Sequence, residues 1–146
     1  GEIILNTKRI GFVPERIKFP EFVKVSHFLR AILEIRRYTD LEIKLKIKDM
    51  LEKWELEDKY IYSLSKGMRQ KLAIIQAIIH APNLYIFDEP LNGLDKKSQQ
   101  KFMEYLRYLK MHKQTIIVTT HYYQLYRESL DYIIEIDEGK LNAKTS

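Results

Sequence analysis

The chain has 146 residues, 45% hydrophobic and 31% charged, with a formal net charge of +5 and no cysteine. That length supports one domain with a packed core, and the lack of cysteine excludes disulfides within it. No apolar run approaches the roughly 18–20 residues of a membrane helix and no signal peptide is visible, so contact with a membrane is expected to pass through a partner.

The positive charge is dispersed. Lys44, Lys46, Lys48, Lys53, Lys66, Arg69, Lys71, Lys96 and Lys97 stand apart rather than in one block, and no aromatic-interleaved RNA motif accompanies them. A solvated basic surface, compatible with anionic lipid nearby, is the expectation, and no nucleic-acid partner is expected.

In chain order, residues 2–13 read as two short strands. Residues 25–37 and 41–54 read as helices, with Phe28, Leu29, Ile32 and Ile35 forming an apolar stripe on the first. Tyr38, Trp54, Tyr60 and Tyr62 read as ordinary packing, with a docking surface for a partner as the alternative.

Next comes LSKGMRQ at 64–70, directly before an apolar helix expected to run to about His80. Ser65 suits a helix N-cap, and Gly67 lets an anion approach the backbone. A helix N-terminus offers free amides and a positive dipole end to phosphate oxygens, and Arg69 and Lys71 would add charge. Taken alone, Ser-x-Gly favours an ordinary capped helix over a phosphate contact. Ala81-Pro82-Asn83 then ends the helix.

The run Leu84-Tyr85-Ile86-Phe87 is continuously apolar, as a strand covered on both faces of a parallel sheet should be. Asp88 and Glu89 follow at once, and Pro90 stops the ladder. Ligands of open α/β sheets bind beyond the carboxyl ends of the strands. A carboxylate there can reach Mg²⁺, directly or through water, and a neighbour can orient or deprotonate an attacking water. An isolated Asp-Glu-Pro could be polar punctuation.

Residues 96–113 have helical spacing at Phe102, Tyr105, Leu106 and Leu109. A β-branched run at 115–120 then ends in His121. Strand, helix, strand makes a βαβ unit with an expected right-handed crossover. His121 therefore falls on the same sheet edge as Asp88 and Glu89, where it could donate a hydrogen bond to a terminal phosphate. Taken alone it could be a surface histidine, and no spacing suggests a metal-binding His cluster. The tail at 130–141 alternates, with a hairpin turn expected at Glu138-Gly139, and residues 142–146 are expected to fray.

These residues together resemble the ATP-binding subunit of ABC transporters. LSKGMRQ is similar to the family's signature motif, and LYIFDEP at 84–90 to its Walker B strand with the catalytic glutamate. NGLD at 92–95 resembles the D-loop, and TTH at 119–121 the switch-histidine loop. Residues 1–6 resemble the strand after the phosphate-loop helix, and residues 10–15 the Q-loop strand, so the resemblance covers essentially the whole chain.

The resemblance implies an α/β, P-loop NTPase-like fold, its mostly parallel sheet carrying helices on both faces, plus a helical signature subdomain. Residues 1–21 would hold strands and the Q-loop region, 22–81 the helical subdomain, and 82–146 the Walker B, D-loop and switch-histidine core. It implies ATP and Mg²⁺ as cofactors. Glu89 and His121 would be catalytic and Asp88 the metal contact; Ser65, Lys66, Gly67, Met68, Asp95 and Glu15 would serve nucleotide binding. A second ABC ATPase subunit and transmembrane permease subunits are the implied partners, and the implied location is the cytoplasmic face of the cell membrane.

The chain also departs from the family pattern. Glu15 stands where many members have a glutamine that touches Mg²⁺ and the membrane partner. Lys66 replaces the usual signature glycine, and Met68 a frequent glutamine. No G-x-x-x-x-G-K-[S/T] phosphate loop occurs among the 146 residues. The chain therefore reads as a fragment lacking the N-terminal part of the fold, or as a truncated gene product, inactive alone and with apolar surface left uncovered. A non-transport ABC ATPase acting on ribosomes or DNA and a non-catalytic interaction fragment are the alternative functions.

Overall fold

The computed structural model describes Ile4, Thr7 and residues 9–129, 131–137 and 140–145. The elements are β1 (Ile10–Val13), α1 (Val25–Ile35), α2 (Asp40–Trp54), α3 (Lys66–Ile78), β2 (Leu84–Asp88), α4 (Lys96–Met111), β3 (Thr115–Thr119), β4 (Tyr132–Asp137) and β5 (Lys140–Thr145). Short 3₁₀ turns at Ile61–Ser63 and Tyr123–Tyr126 complete them. The strand expected at residues 1–6 lies outside the described residues.

β1, β2 and β3 form a parallel sheet with β2 in the middle. Ile10 pairs with Leu84 and Leu84 with Thr115, and the register runs on to Asp88 opposite Thr119. The chain passes from β1 to β2 through α1, α2 and α3, and from β2 to β3 through α4. Parallel neighbours need such crossovers, and these set all three carboxyl ends on one edge.

Strand alternation divides the sheet into two unlike faces. Gly11, Val13, Tyr85, Phe87, Ile116 and Val118 share the face packed by helices. There a Cβ on Gly11 would lie 2.1 Å from the Ala77 carbonyl oxygen of α3, and the Phe87 ring meets Phe102 of α4 edge-on at 5.1 Å. On the other face Phe12, Ile86 and Ile117 form one cross-strand row. Phe12 is 47% exposed and Ile117 48%, and Ile86 is half-buried. Coverage of Leu84 to Phe87 on both faces was the expectation; α3 and α4 both lie on the first face, so the apolar row stands uncovered among the described residues.

The helices follow local rules. Thr39 and Glu42 form a capping box at the start of α2, Thr39 Oγ1 accepting the Glu42 N–H and the Thr39 N–H donating to Glu42 Oε2 at 2.8 Å. α2 ends where Glu55 turns left-handed at φ 50° and the Leu56 N–H reaches back to the Leu51 carbonyl. Lys97 and Lys101 of α4 grip the Glu55 carboxylate at 2.8 and 3.0 Å, tying that turn to α4 and holding the carboxyl down to about 2.

α1 buries Val25, Leu29 and Leu33. The expected stripe is thus rotated: Leu29 is central and Phe28 and Ile32 flank the core, but Ile35, on the last turn, is 80% exposed. α3 is the most deeply buried helix, with Leu72 to Ile75, Ala77 and Ile78 in the core. Trp54 is fully buried, and the Tyr38 hydroxyl donates to the His80 carbonyl at 3.1 Å, as ordinary packing requires. Tyr60 and Tyr62, expected to pack likewise, are largely exposed and stack on each other at 5.7 Å.

β4 and β5 form an antiparallel hairpin paired from Tyr132 with Thr145 to Asp137 with Lys140. Residues 142–145, expected to fray, are therefore strand, because β4 supplies ladder partners as far as Thr145. The expected turn residues 138 and 139 lie outside the described residues.

Candidate active site

Asp88 ends β2 and Glu89 follows it, both partly buried at the carboxyl edge of the sheet. The Asp88 carboxylate accepts a hydrogen bond from the Thr119 hydroxyl on its register partner in β3. Glu89 sits at φ +45°, a region few residues other than glycine adopt, and its N–H donates to the Thr119 carbonyl at 3.1 Å. Such backbone strain clusters at sites where a side chain must be aimed.

The structure brings His121 to this pair. The His121 backbone N–H donates to Glu89 Oε1 at 2.8 Å, and its Nε2 lies 3.6 Å from the same oxygen. The Glu89 side chain is only 12% exposed, whereas the His121 ring is 91% exposed. A shielded carboxylate beside an imidazole that faces outward is a geometry in which one group can take a proton from water and the other can contact an anion.

Ser65 is the N-cap of α3, its hydroxyl accepting the Met68 N–H at 3.3 Å. Ser65 and Lys66 are exposed, and Gly67 and Met68 half-buried, on the first turn. Gly67 packs on the loop after Glu89, where an added Cβ would lie 2.8 Å from the Gly93 carbonyl oxygen. Gly93 itself has φ +80° with the Lys66 stem against it, and the Gln70 amide donates to the Pro90 carbonyl at 3.0 Å. The turn carrying Ser65 and the loop following the two carboxylates are thus one packed unit.

Two expected phosphate-side cations are already engaged. Arg69 makes a two-pronged pair with Glu21 at 2.7 and 2.8 Å, and Lys71 lies 4.0 Å from Asp95. Asp95 caps α4, its Oδ1 accepting the Ser98 N–H at 2.8 Å, and the Ser98 bonds followed by Lys71 lower its carboxyl. Glu15 is exposed two residues past β1, on the same sheet edge, with no hydrogen bond among the described residues. Thr119, Gln70 and Glu21 escape sequence reasoning, since their roles depend on strand register and helix placement; only the polar residue opposite Asp88 could have hinted at Thr119.

No group of three or more histidine, aspartate or glutamate side chains gathers to hold a metal among the described residues. The chain offers Asp88, with Glu89 next to it. This donor set suits Mg²⁺, which takes one or two carboxylates and fills its sphere with water and phosphate oxygens, better than a cation needing a full protein cage.

The paired carboxylates at the edge of the parallel sheet and the capped helix beside them form the candidate site, and comparisons with known proteins report what the chain as a whole is similar to. The family model described as "ABC transporter" matches residues 2–92. This chain is 37% identical over 103 residues to "ABC transporter ATP-binding protein NatA" of Bacillus subtilis (strain 168), covering 68% of this chain and 42% of that protein. It is 29% identical over 143 residues to "High-affinity zinc uptake system ATP-binding protein ZnuC" of the same organism, covering 90% and 62%. To "Sulfate/thiosulfate import ATP-binding protein CysA" of Synechococcus elongatus it is 30% identical over 142 residues, covering 94% and 41%. The solved "Structure of ATP binding subunit of ABC transporter" superposes with a TM-score of 0.84 at 25% identity, over 94% of this chain and 59% of that one. A dimeric ATP-binding cassette in a post-hydrolysis state with ADP and Pi shares the fold, with a TM-score of 0.81 at 24% identity, over 94% and 62%.

The chain belongs to the ABC transporter ATP-binding family. It spans about 41–62% of the length of these three relatives.

Proposed function

We propose that this chain is part of an ATP-binding and ATP-hydrolysing subunit of an ABC transporter, working at the cytoplasmic face of the membrane with permease subunits. The observation that carries this reading is the hydrogen-bonded grouping of Asp88, Glu89, Thr119 and His121 at the sheet edge, packed to the Ser65 turn. Mg²⁺ bound with ATP would neutralise phosphate charge there, and Asp88, oriented by Thr119, is the residue to hold it. Glu89 accepts the proton of an attacking water, and His121 donates a hydrogen bond to the terminal phosphate. Ser65, Gly67 and the α3 amides, with Lys66 and Met68 on the same turn, close on the phosphates of ATP held by a second subunit. ATP thereby joins two subunits, and Asp95 and Glu15 flank the joint.

General-base assistance contributes about 10²–10⁴ in rate, roughly 3–5 kcal/mol of barrier. In the full-length protein Glu89→Gln is therefore expected to bind ATP and dimerise but to lose at least about a hundredfold in turnover, with nucleotide trapped in the dimer. Normal turnover would remove Glu89 from the role of base. The 146 residues contain no phosphate-loop motif, so Mg-ATP at millimolar concentration is expected to leave the unfolding temperature of this chain unchanged. A saturable shift at micromolar ATP would overturn that expectation.

A further inference from the structure

From His121 to Glu128 every residue is exposed or half-buried except Tyr126, which ends the 3₁₀ turn Tyr123–Tyr126 and is fully buried in the core. The turn that aims it inward is braced at both ends. The Tyr122 N–H donates to Thr120 Oγ1 at 3.0 Å, and the Ser129 N–H to the Tyr126 carbonyl at 2.8 Å. Between them His121 holds Glu89 Oε1 through its own N–H, so the ring, the histidine and the carboxylate are joined by one short stretch of chain. The Tyr126 phenol oxygen is buried without a hydrogen-bond partner. Native folds pair the large majority of such groups, and an exception asks for a reason. Burial, then the charge of Glu89, push the phenol up well beyond its usual range, and the Thr120 hydroxyl offsets them in part without reaching hydrogen-bonding geometry. Tyr126 is therefore a protonated, unspent donor in the field of Glu89. On Glu89 itself the contacts from His121 fall on Oε1, and no hydrogen bond reaches Oε2 among the described residues.

We propose that Tyr126 is a positioning residue for Glu89, its buried phenol donating to the second carboxylate oxygen, directly or through one water, once nucleotide closes the site. Hydrogen bonds of a catalytic group are often long before substrate binds and tighten in the complex, which suits a donor that is close to its carboxylate and not yet engaged. An ionised carboxylate can only accept, and each of its oxygens carries two lone pairs. Held by the His121 amide on one oxygen and by the phenol on the other, Glu89 keeps its aim and still has a lone pair for the proton of the attacking water. The inference rests on the reading of Glu89 as the base of an ATPase. It adds to that site a residue outside every motif read from the sequence, brought there only by the turn after His121.

Steady-state ATPase kinetics on the full-length protein test it through Tyr126→Phe, which removes one oxygen and leaves the ring packed. The hydroxyl is unpaired in the fold, so its loss is expected to leave the melting temperature unchanged or higher. Turnover is expected to fall nonetheless: kcat by at least about tenfold, the worth of a hydrogen bond to a charged group, with KM for ATP within about twofold. In a Glu89→Gln background the same substitution should cost less than about twofold more, because the carboxylate it orients is already gone. Wild-type kcat in Tyr126→Phe would overturn the proposal, as would a raised KM at constant kcat or a further tenfold loss in the Glu89→Gln background. A melting temperature lowered by more than a few degrees alongside the lost turnover would overturn it too, by marking the hydroxyl as structural. Glu89→Gln inactive with Tyr126→Phe fully active sinks the role of Tyr126 alone; Glu89→Gln at normal turnover sinks the reading of Glu89 as the base.

Discussion

Gly67→Ala probes the junction between the Ser65 turn and the acidic loop. The new methyl carbon would start 2.8 Å from the Gly93 carbonyl oxygen, whereas ordinary contact begins near 3.4 Å, so the two backbones must part by about 0.6 Å. Neither side yields freely. The loop is held by Gln70 on the Pro90 carbonyl and by Asp95 capping α4, while α3 behind Gly67 is packed into the core. Overpacking of this kind costs about 1–3 kcal/mol. For a domain of this size that is a fall of roughly 3–10 °C in melting temperature. The displaced loop also carries Glu89, and because a misplacement of ~1 Å in a catalytic group can cost about a hundredfold, a loss of about tenfold in ATP turnover is expected. Calorimetry on the chain and ATPase kinetics on the full-length protein read the two effects separately. Wild-type melting and wild-type turnover together would refute the packed junction.

Three more outcomes follow from the packing. Gly11→Ala places a Cβ 2.1 Å from the Ala77 carbonyl oxygen and 2.8 Å from Pro82 Cγ, so a loss of about 3 kcal/mol or more is expected in a denaturant titration; a loss below about 1 kcal/mol would mean that β1 and α3 do not pack this closely. Phe12→Thr with Ile117→Thr should raise the concentration at which the chain aggregates while shifting its melting point by only a few degrees, and a much larger fall would show that the exposed face is packed after all. His80 contributes to acid sensitivity. Its pKa drops to about 4 on folding, so between about 4 and 6.5 the unfolded chain binds the extra proton and stability rises with pH, by up to roughly 3 kcal/mol. That contribution is complete above about pH 6.5 and lost as pH falls towards 4. His80→Gln should flatten this limb of a stability–pH profile, and an unchanged slope would show that the histidine is not buried neutral.

Much of the fold was legible because its signals are local. The Ser65 cap, the Pro82 and Pro90 breaks and the apolar runs of α3 and β2 each depend on near neighbours, and their observed bounds lie within a few residues of expectation. The two carboxylates and His121 were placed on one edge by the strand–helix–strand order alone. The engagement of Arg69 was not legible, because Glu21 is 48 residues away in sequence and meets it only through the fold. The solvent-facing Ile35 was missed because apolar spacing gives a helix face but not what packs on it.

By itself, then, the order of residues determined the element types, the family motifs and which side chains could do acid–base and phosphate chemistry, since these rest on residue type and short spacing. Tertiary structure decided which groups meet. It set Thr119 on Asp88 through strand register, joined Gly67 to Gly93 through helix packing, and, among the described residues, left one sheet face uncovered because α3 and α4 share the other. Those contacts link residues far apart in the chain, and only close packing in three dimensions selects among the many pairings that the same composition allows.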